Sequence, residues 1–209
     1  MARKKAYEEK IVKLLLLKEG TYDLEKELII ACPIFIHGAG QDKTIIQRRG
    51  IKIKGTKEEK KRVNMQGMTM KGSRGGGLYD DNGLSFLCKD MTFTQCGYCG
   101  VFASNTKGRL INCVITQCRL SGIYCDQNAL IELEGDQTKV DGNGTDGDSD
   151  TYGLYTLFSS SIIHLLFPLT KESVSTNNHG DQNYGGDGLI AIVDDAGNTI
   201  HIISADEAE

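Results

Sequence analysis

Four segments of this 209-residue chain share one pattern and recur at regular spacing. They are Gly77-Leu78-Tyr79, Gly100-Val101-Phe102, Gly122-Ile123-Tyr124 and Gly153-Leu154-Tyr155, separated by steps of 23, 22 and 31 residues. Two further patterns keep the same period. Met68-Thr69-Met70 aligns with Met91-Thr92-Phe93 and Cys113-Val114-Ile115, and Thr94-Gln95-Cys96 aligns with Thr116-Gln117-Cys118. Three independent patterns on one period require a repeat architecture, in which each unit buries its apolar side against its neighbours. The 31-residue step reads as one unit plus a loop insertion of about nine residues, near 141–151.

Within a unit the apolar residues alternate. Ile51-Lys52-Ile53-Lys54, Val63-Asn64-Met65-Gln66 and Ile131-Glu132-Leu133-Glu134 all read in-out-in-out, the period of a strand and not of a helix. Glycine punctuates the strands where the chain must turn. A period near 22 accommodates three short strands and three turns, and the Leu-x-x-Leu-x-Leu ladder of leucine-rich repeats is absent. The expectation is therefore an all-β, single-stranded right-handed parallel β-helix, a three-sheet solenoid of seven or eight coils in a single domain over 1–209. Residues 1–12, charged and amphipathic, are expected as a short capping helix. Residues 13–166 form regular coils, and 167–209 form C-terminal coils and an acidic tail, Asp206-Glu207-Ala208-Glu209. Caps matter because the ends of such a stack are open sheet edges.

Composition narrows the function classes. Asp and Glu outnumber Lys and Arg by 28 to 24, whereas a duplex-binding surface shows as a basic excess, so no nucleic-acid partner is expected. The longest apolar run, Leu28 to Ile36, is far short of a membrane span, and no segment reads as a targeting signal. The 2 prolines fit a chain whose strands are mostly interior, where proline would remove a ladder donor. The 7 cysteines are odd in number. Cys96-Gly97-Tyr98-Cys99 has zinc-like spacing, but the partner pair is missing, since Cys113 and Cys118 stand five apart. The cysteines read as reduced, buried, small apolar residues, which points to a cytoplasmic or virion-associated protein.

The opening coils carry a familiar form. Leu14 through Leu24, with Gly20-Thr21-Tyr22, then Pro33-Ile34-Phe35-Ile36-His37-Gly38-Ala39-Gly40, Lys43-Thr44-Ile45-Ile46, Gly50 to Gly55 and Val63 to Gly72 resemble the coils of pectin-lyase-like right-handed β-helix proteins. The likeness covers about residues 11–166. The stretch from Tyr152 through Ser160, His164 and Lys171 to Asn178, ending at Gly186, is similar to uncharacterised β-helix proteins of algae and their large DNA viruses, and implies no reaction. The first resemblance implies a polysaccharide or other glycan partner held along one sheet, but the motifs of its enzymes are missing. Polygalacturonase-like enzymes carry an Asn-Thr-Asp strand, an Asp pair and a Gly-His-Gly; only Asp80-Asp81 stands here. The Asp-Pro-His-Glu run of mannuronan-epimerase-like enzymes is absent. Pectate-lyase-like enzymes use an arginine base beside Asp-bound calcium, and Arg109 and Arg119 have no such surroundings.

Three candidate sites remain. Asp80-Asp81, Ser104-Asn105 and Asp126-Gln127-Asn128 follow the repeated strand, and are expected to stack as a column at one sheet edge. Asp81, Asn105, Asp126 and Asn128 are its sugar-binding candidates, and Asp80, Asp81 and Asp126 its acid/base candidates. The same residue types also favour plain turns. The inserted loop carries Asp146, Asp148 and Asp150 at alternating positions, the oxygen donors that calcium prefers, without the EF-hand pattern. Its Asn143-Gly144-Thr145 is a glycosylation sequon by form only. His179, in the polar loop Asn177-Asn178-His179-Gly180-Asp181, is the lone histidine candidate for chemistry. The leading expectation is a binding or structural rod presenting a polar ladder to carbohydrate. The alternatives are a polysaccharide lyase, hydrolase or epimerase with a diverged site, and a viral or cell-surface assembly subunit, for which a homotrimer would be the mark.

Overall fold

The computed structural model describes residues 13–55, 61–147 and 150–203. The expected N-terminal cap, the acidic tail, Asp148 and residues 57–60 of the mixed-charge Lys/Glu run lie outside them. The chain winds as a right-handed parallel β-helix with three faces. The first face stacks Leu14–Leu16, Ile34–His37, the front halves of Arg62–Lys71 and Ser85–Thr94, Lys107–Ile111, Leu130–Glu134, Ile162–Leu166 and Leu189–Val193. The second stacks Gly20–Asp23, Thr44–Gln47, the back halves of the same two long strands, Val114–Thr116, Lys139–Asp141 and Ser175–Thr176. The third is a 7-stranded sheet from Leu28–Ile30 through Ile51–Ile53, Leu78–Asp81, Val101–Ser104, Ile123–Asp126 and Leu154–Thr156 to Tyr184–Gly186. The two long strands serve two faces because each bends at a positive-φ residue, Gly67 (φ 67°) and Asp90 (φ 49°).

The sequence registers are the registers of the stack. Leu78 pairs with Val101, Val101 with Ile123 and Ile123 with Leu154 on the third face. Met68 pairs with Met91, Thr92 with Val114 and Thr94 with Thr116 on the second. The inserted loop sits between the second and third faces, so the long step leaves the pairing of Ile123 with Leu154 intact. Alternation puts Ile51, Leu78, Val101, Ile123 and Leu154 in one fully buried row. Each such side chain contributes about 1.5–3 kcal/mol through burial.

A second buried row explains the repeated glycine. The turn from the second face to the third passes through a positive-φ residue in successive coils: Gly72, Gln95, Gln117, Gly142 and Asn177. The residue after it turns inward, giving the buried series Ser73, Cys96, Cys118, Asn143 and Asn178. Asn143 Oδ1 accepts the Cys118 N–H at 3.0 Å, while its Nδ2 donates to Ile115 O at 3.1 Å. Asn178 repeats the motif one coil on, accepting the Asn143 N–H at 3.0 Å and donating to Val140 O at 3.2 Å. These amides satisfy buried backbone groups that the tight turn leaves without ladder partners. The repeated glycine is what makes room. A Cβ on Gly122 would stand 2.8 Å from Asn143 Nδ2 and 2.4 Å from Val140 Cγ1.

The cysteines are free thiols, and all but Cys32 are buried. Both thiols of Cys96-Gly97-Tyr98-Cys99 point into the coil. Burial pushes Cys113 and Cys125 up to about 12, so these thiols are neutral packing groups. The parallel stack ends in a way the period does not foretell. Thr199–Ile203 folds back antiparallel on Leu189–Val193. The reversal is fixed by Asp194, whose Oδ1 accepts the Ala196 and Asn198 N–H groups at 2.9 and 2.8 Å.

Candidate functional site

The outer surface of the third face concentrates side chains suited to recognition. Tyr79, Phe102, Tyr124 and Tyr155 occupy one outward row, because each follows an inward residue of the repeated strand. Tyr79 and Phe102 stack at 4.6 Å between ring centroids, and Phe102 and Tyr124 at 5.4 Å. Tyr155 meets Tyr124 edge-on at 5.0 Å. Tyr152, from the end of the inserted loop, stacks on Tyr155 at 5.1 Å. It takes the place of an aromatic residue in the next coil, where Gly185 pairs with Tyr155. A Cβ on Gly185 would lie 2.3 Å from Tyr152 Cε1, so the column extends one coil further because that position is glycine. At the other end Lys52 Nζ lies 4.7 Å from the Tyr79 ring centroid, a cation–π contact. The ring faces are largely spent on one another, so the column offers ring edges and phenol hydroxyls.

Beside the aromatic row runs a polar one. Asp81 pairs with Ser104 and Ser104 with Asp126, so the two carboxylates flank Ser104, which is itself buried. One residue further, Asn105 Nδ2 donates to Asn82 Oδ1 at 2.6 Å, and Asn82 Nδ2 to Asp81 Oδ1 at 2.6 Å. Asn82, Asn105, Gln127 and Asn128 all have positive φ and form the turns to the first face. Asp126 Oδ1 is buried and has no hydrogen-bond partner among the described residues. The acidic row shapes the tyrosines. Burial and then Asp81 push the Tyr79 phenol up; burial, Tyr155 and Asp126 do the same to Tyr124. Tyr155 is raised by burial, then by Tyr152, Asp150 and Asp187. These phenols are neutral hydroxyl donors and acceptors.

The structure corrects two members of the expected column, Ser104, which is buried, and Asp80. Asp80 is fully buried, and not on the surface with Asp81. Counting in twos from Leu78 turns Asp80 inward, in line with Ala103 and Cys125. Its carboxylate accepts the Gly83 N–H at 2.8 Å and the Thr106 hydroxyl at 3.0 Å, pinning the corner between faces. Asp81 and Asp126 remain outward, Asn105 joins Asn82, and Asn128 stands in the turn with its N–H on Ser160 Oγ at 3.1 Å. Asn82 and the aromatic column itself are the additions. The column's signal is the third residue of the repeat, at an outward position by period-two alternation.

The other two candidates come together. The His179 N–H donates to Asn143 O at 2.9 Å, and its imidazole packs on the inserted loop, with Cε1 3.6 Å from where a Gly147 Cβ would be. His179 thus lies against Gly144 and Gly147 of the inserted loop. Asp146 Oδ2 stands 3.6 Å from Arg119 Nε. Among the described residues no three His, Cys, Asp or Glu side chains converge as a metal-binding group. Asn143, the sequon residue, is buried in the inner ladder. A separate polar group lies on the first face. Arg109 bonds Glu134 Oε2 through Nη2 at 2.8 Å and Nε at 2.9 Å, approaches Glu132 Oε2 at 3.7 Å, and Glu132 pairs with His164. Burial lowers the His164 basicity, and Glu132 offsets this in part.

A family model described as the right handed beta helix region matches residues 34–167, and the chain belongs to that family. No curated protein matches the sequence. Among solved structures, the chain is similar to the A-module of the mannuronan C-5 epimerase AlgE4 of Azotobacter vinelandii. The TM-score is 0.52 at 15% identity, over 88% of this chain and 68% of that one. A likeness at that identity is one of fold. No helix among the described residues is long and apolar enough to cross a membrane.

Proposed function

We propose that the protein is a carbohydrate-binding β-helix that holds a glycan chain along the outer surface of its third face. One observation carries this reading: the continuous outward column of Tyr79, Phe102, Tyr124, Tyr155 and Tyr152, with Asp81 and Asp126 alongside. Aromatic edges give apolar area to sugar C–H groups, and carboxylates, amides and phenols bind hydroxyls. The row is repetitive, as a polymer is, and it stands on rigid strands, so little side-chain order is lost on binding. Acid/base catalysis calls for two titratable groups poised on one bond. The outward carboxylates here lie two strands apart, with the Ser104 strand between them.

The test is affinity gel electrophoresis of the full chain through a panel of soluble glycans, with Phe102→Ala and Tyr124→Ala alongside the native protein. The expected result is retardation by at least one glycan, weakened about tenfold or more in both variants at unchanged far-UV circular dichroism. No retardation across the panel would overturn the reading. New reducing ends, an unsaturated uronate or C5 inversion in the same mixtures would replace binding with catalysis.

A further inference from the structure

Building on the glycan-binding reading, we infer that the polymer accepted along the aromatic column is an uncharged, hydroxyl-rich chain, and that polyuronates are excluded from it. The groups that face the column decide this. Asp81 and Asp126 border it on the side where the strands end, flanking Ser104 in register. An ionised carboxylate has acceptors only, so it needs donors from its ligand. Sugar hydroxyls supply them; the carboxylates of a polyuronate do not, and they bring like charge to the same spot.

The cations nearby do not reverse this balance. Lys52 is engaged over the Tyr79 ring, and Lys54, just past the Ile51–Ile53 strand, comes next to Asp81 in register, so both stand at the N-terminal end of the acidic stretch. Arg119, towards the inserted loop, faces Asp146. From Tyr79 to Tyr152 the polymer therefore runs past carboxylates and neutral phenols. Like-charge juxtaposition across an interface is costly enough to exclude a partner.

The experiment uses the full chain in EDTA, so that no divalent cation bridges carboxylates. Gels contain galactomannan, xyloglucan or mixed-linkage β-glucan in one series, and alginate or pectate in the other. The expected result is retardation by at least one neutral glycan, with little dependence on salt, and none by either polyuronate. In Asp81→Asn/Asp126→Asn, retardation by polyuronate is expected to appear, because the repulsion is gone. Native protein retarded by alginate or pectate in EDTA overturns the inference and leaves the glycan-binding reading in place. Polyuronate exclusion that persists in the double variant also overturns it, since the carboxylates would then not be its cause. Failure with every glycan removes the underlying reading itself.

Discussion

Gly122→Ala tests whether the repeated glycine exists to admit the inner ladder. The new Cβ would lie 2.4 Å from Val140 Cγ1, 2.8 Å from Asn143 Nδ2 and 2.8 Å from Gly153 O. None of these can retreat cheaply, because Val140 and Asn143 are buried and the third is backbone. Overpacking of this kind costs roughly 1–3 kcal/mol. Displacing Asn143 adds about 1 kcal/mol by weakening its bonds to Cys118 N and Ile115 O. The total, about 2–4 kcal/mol, lowers the melting temperature of a domain this size by about 4–16 °C. Gly75→Ala is the matched control: nothing lies within 4 Å of its Cβ. There the added methyl is neutral, or gains about 0.4–1 kcal/mol by restricting the unfolded chain. Far-UV circular dichroism during heating and urea titration reads both. Equal stability of the two variants would refute the packing argument and leave the periodic glycine without its physical reason.

Three further outcomes follow from the same geometry. Asn143→Ala leaves the buried Cys118 N–H and Ile115 O without their side-chain partner; a loss of about 1–3 kcal/mol in urea unfolding is expected, against little change for Asn128→Gly in the outer turn, whose φ of 51° glycine adopts freely. Ile123→Asp places an unpaired charge in the fully buried row and is expected to abolish folding, read as loss of soluble protein or of the β-sheet spectrum. His164 has its basicity lowered by burial below the ordinary 6.5. The folded state then binds fewer protons than the unfolded one, so stability falls as pH drops below about 6.5. His164→Gln is expected to flatten that acid-side slope in melting temperature between about pH 5 and about pH 7.

Most of the solenoid was legible in the sequence, because a coil's register repeats in its neighbours. Gly77-Leu78-Tyr79 and its copies predict the third-face pairings residue for residue, and Thr94 and Thr116 do so for the second. The inner ladder was only half visible. Thr94-Gln95-Cys96 and Thr116-Gln117-Cys118 match by identity, whereas Asp141-Gly142-Asn143 and Thr176-Asn177-Asn178 fill the same turn with different residues. What these share is a positive-φ middle residue and an inward third, a backbone property that residue identity shows poorly. The polar column was placed one residue off at its first member. Alignment on acidic character grouped Asp80 with Asp81, although alternation from Leu78 sends Asp80 inside. The reach of Tyr152 over Gly185, and the approach of His179 to the inserted loop, connect residues about thirty apart through loops. The closing antiparallel strand depends on one Asp-centred turn, which breaks the period and so escapes any argument built on it.

The most direct measurement is a crystal structure of the protein bound to an oligosaccharide from the glycan that retards it most. The account predicts density for sugar rings running along the third face, with hydroxyls on Asp81, Asp126 and the tyrosine hydroxyls from Tyr79 to Tyr155. Sugar bound instead at the Arg109, Glu132 and His164 group on the first face, or on the inserted loop with the aromatic column bare, would contradict it.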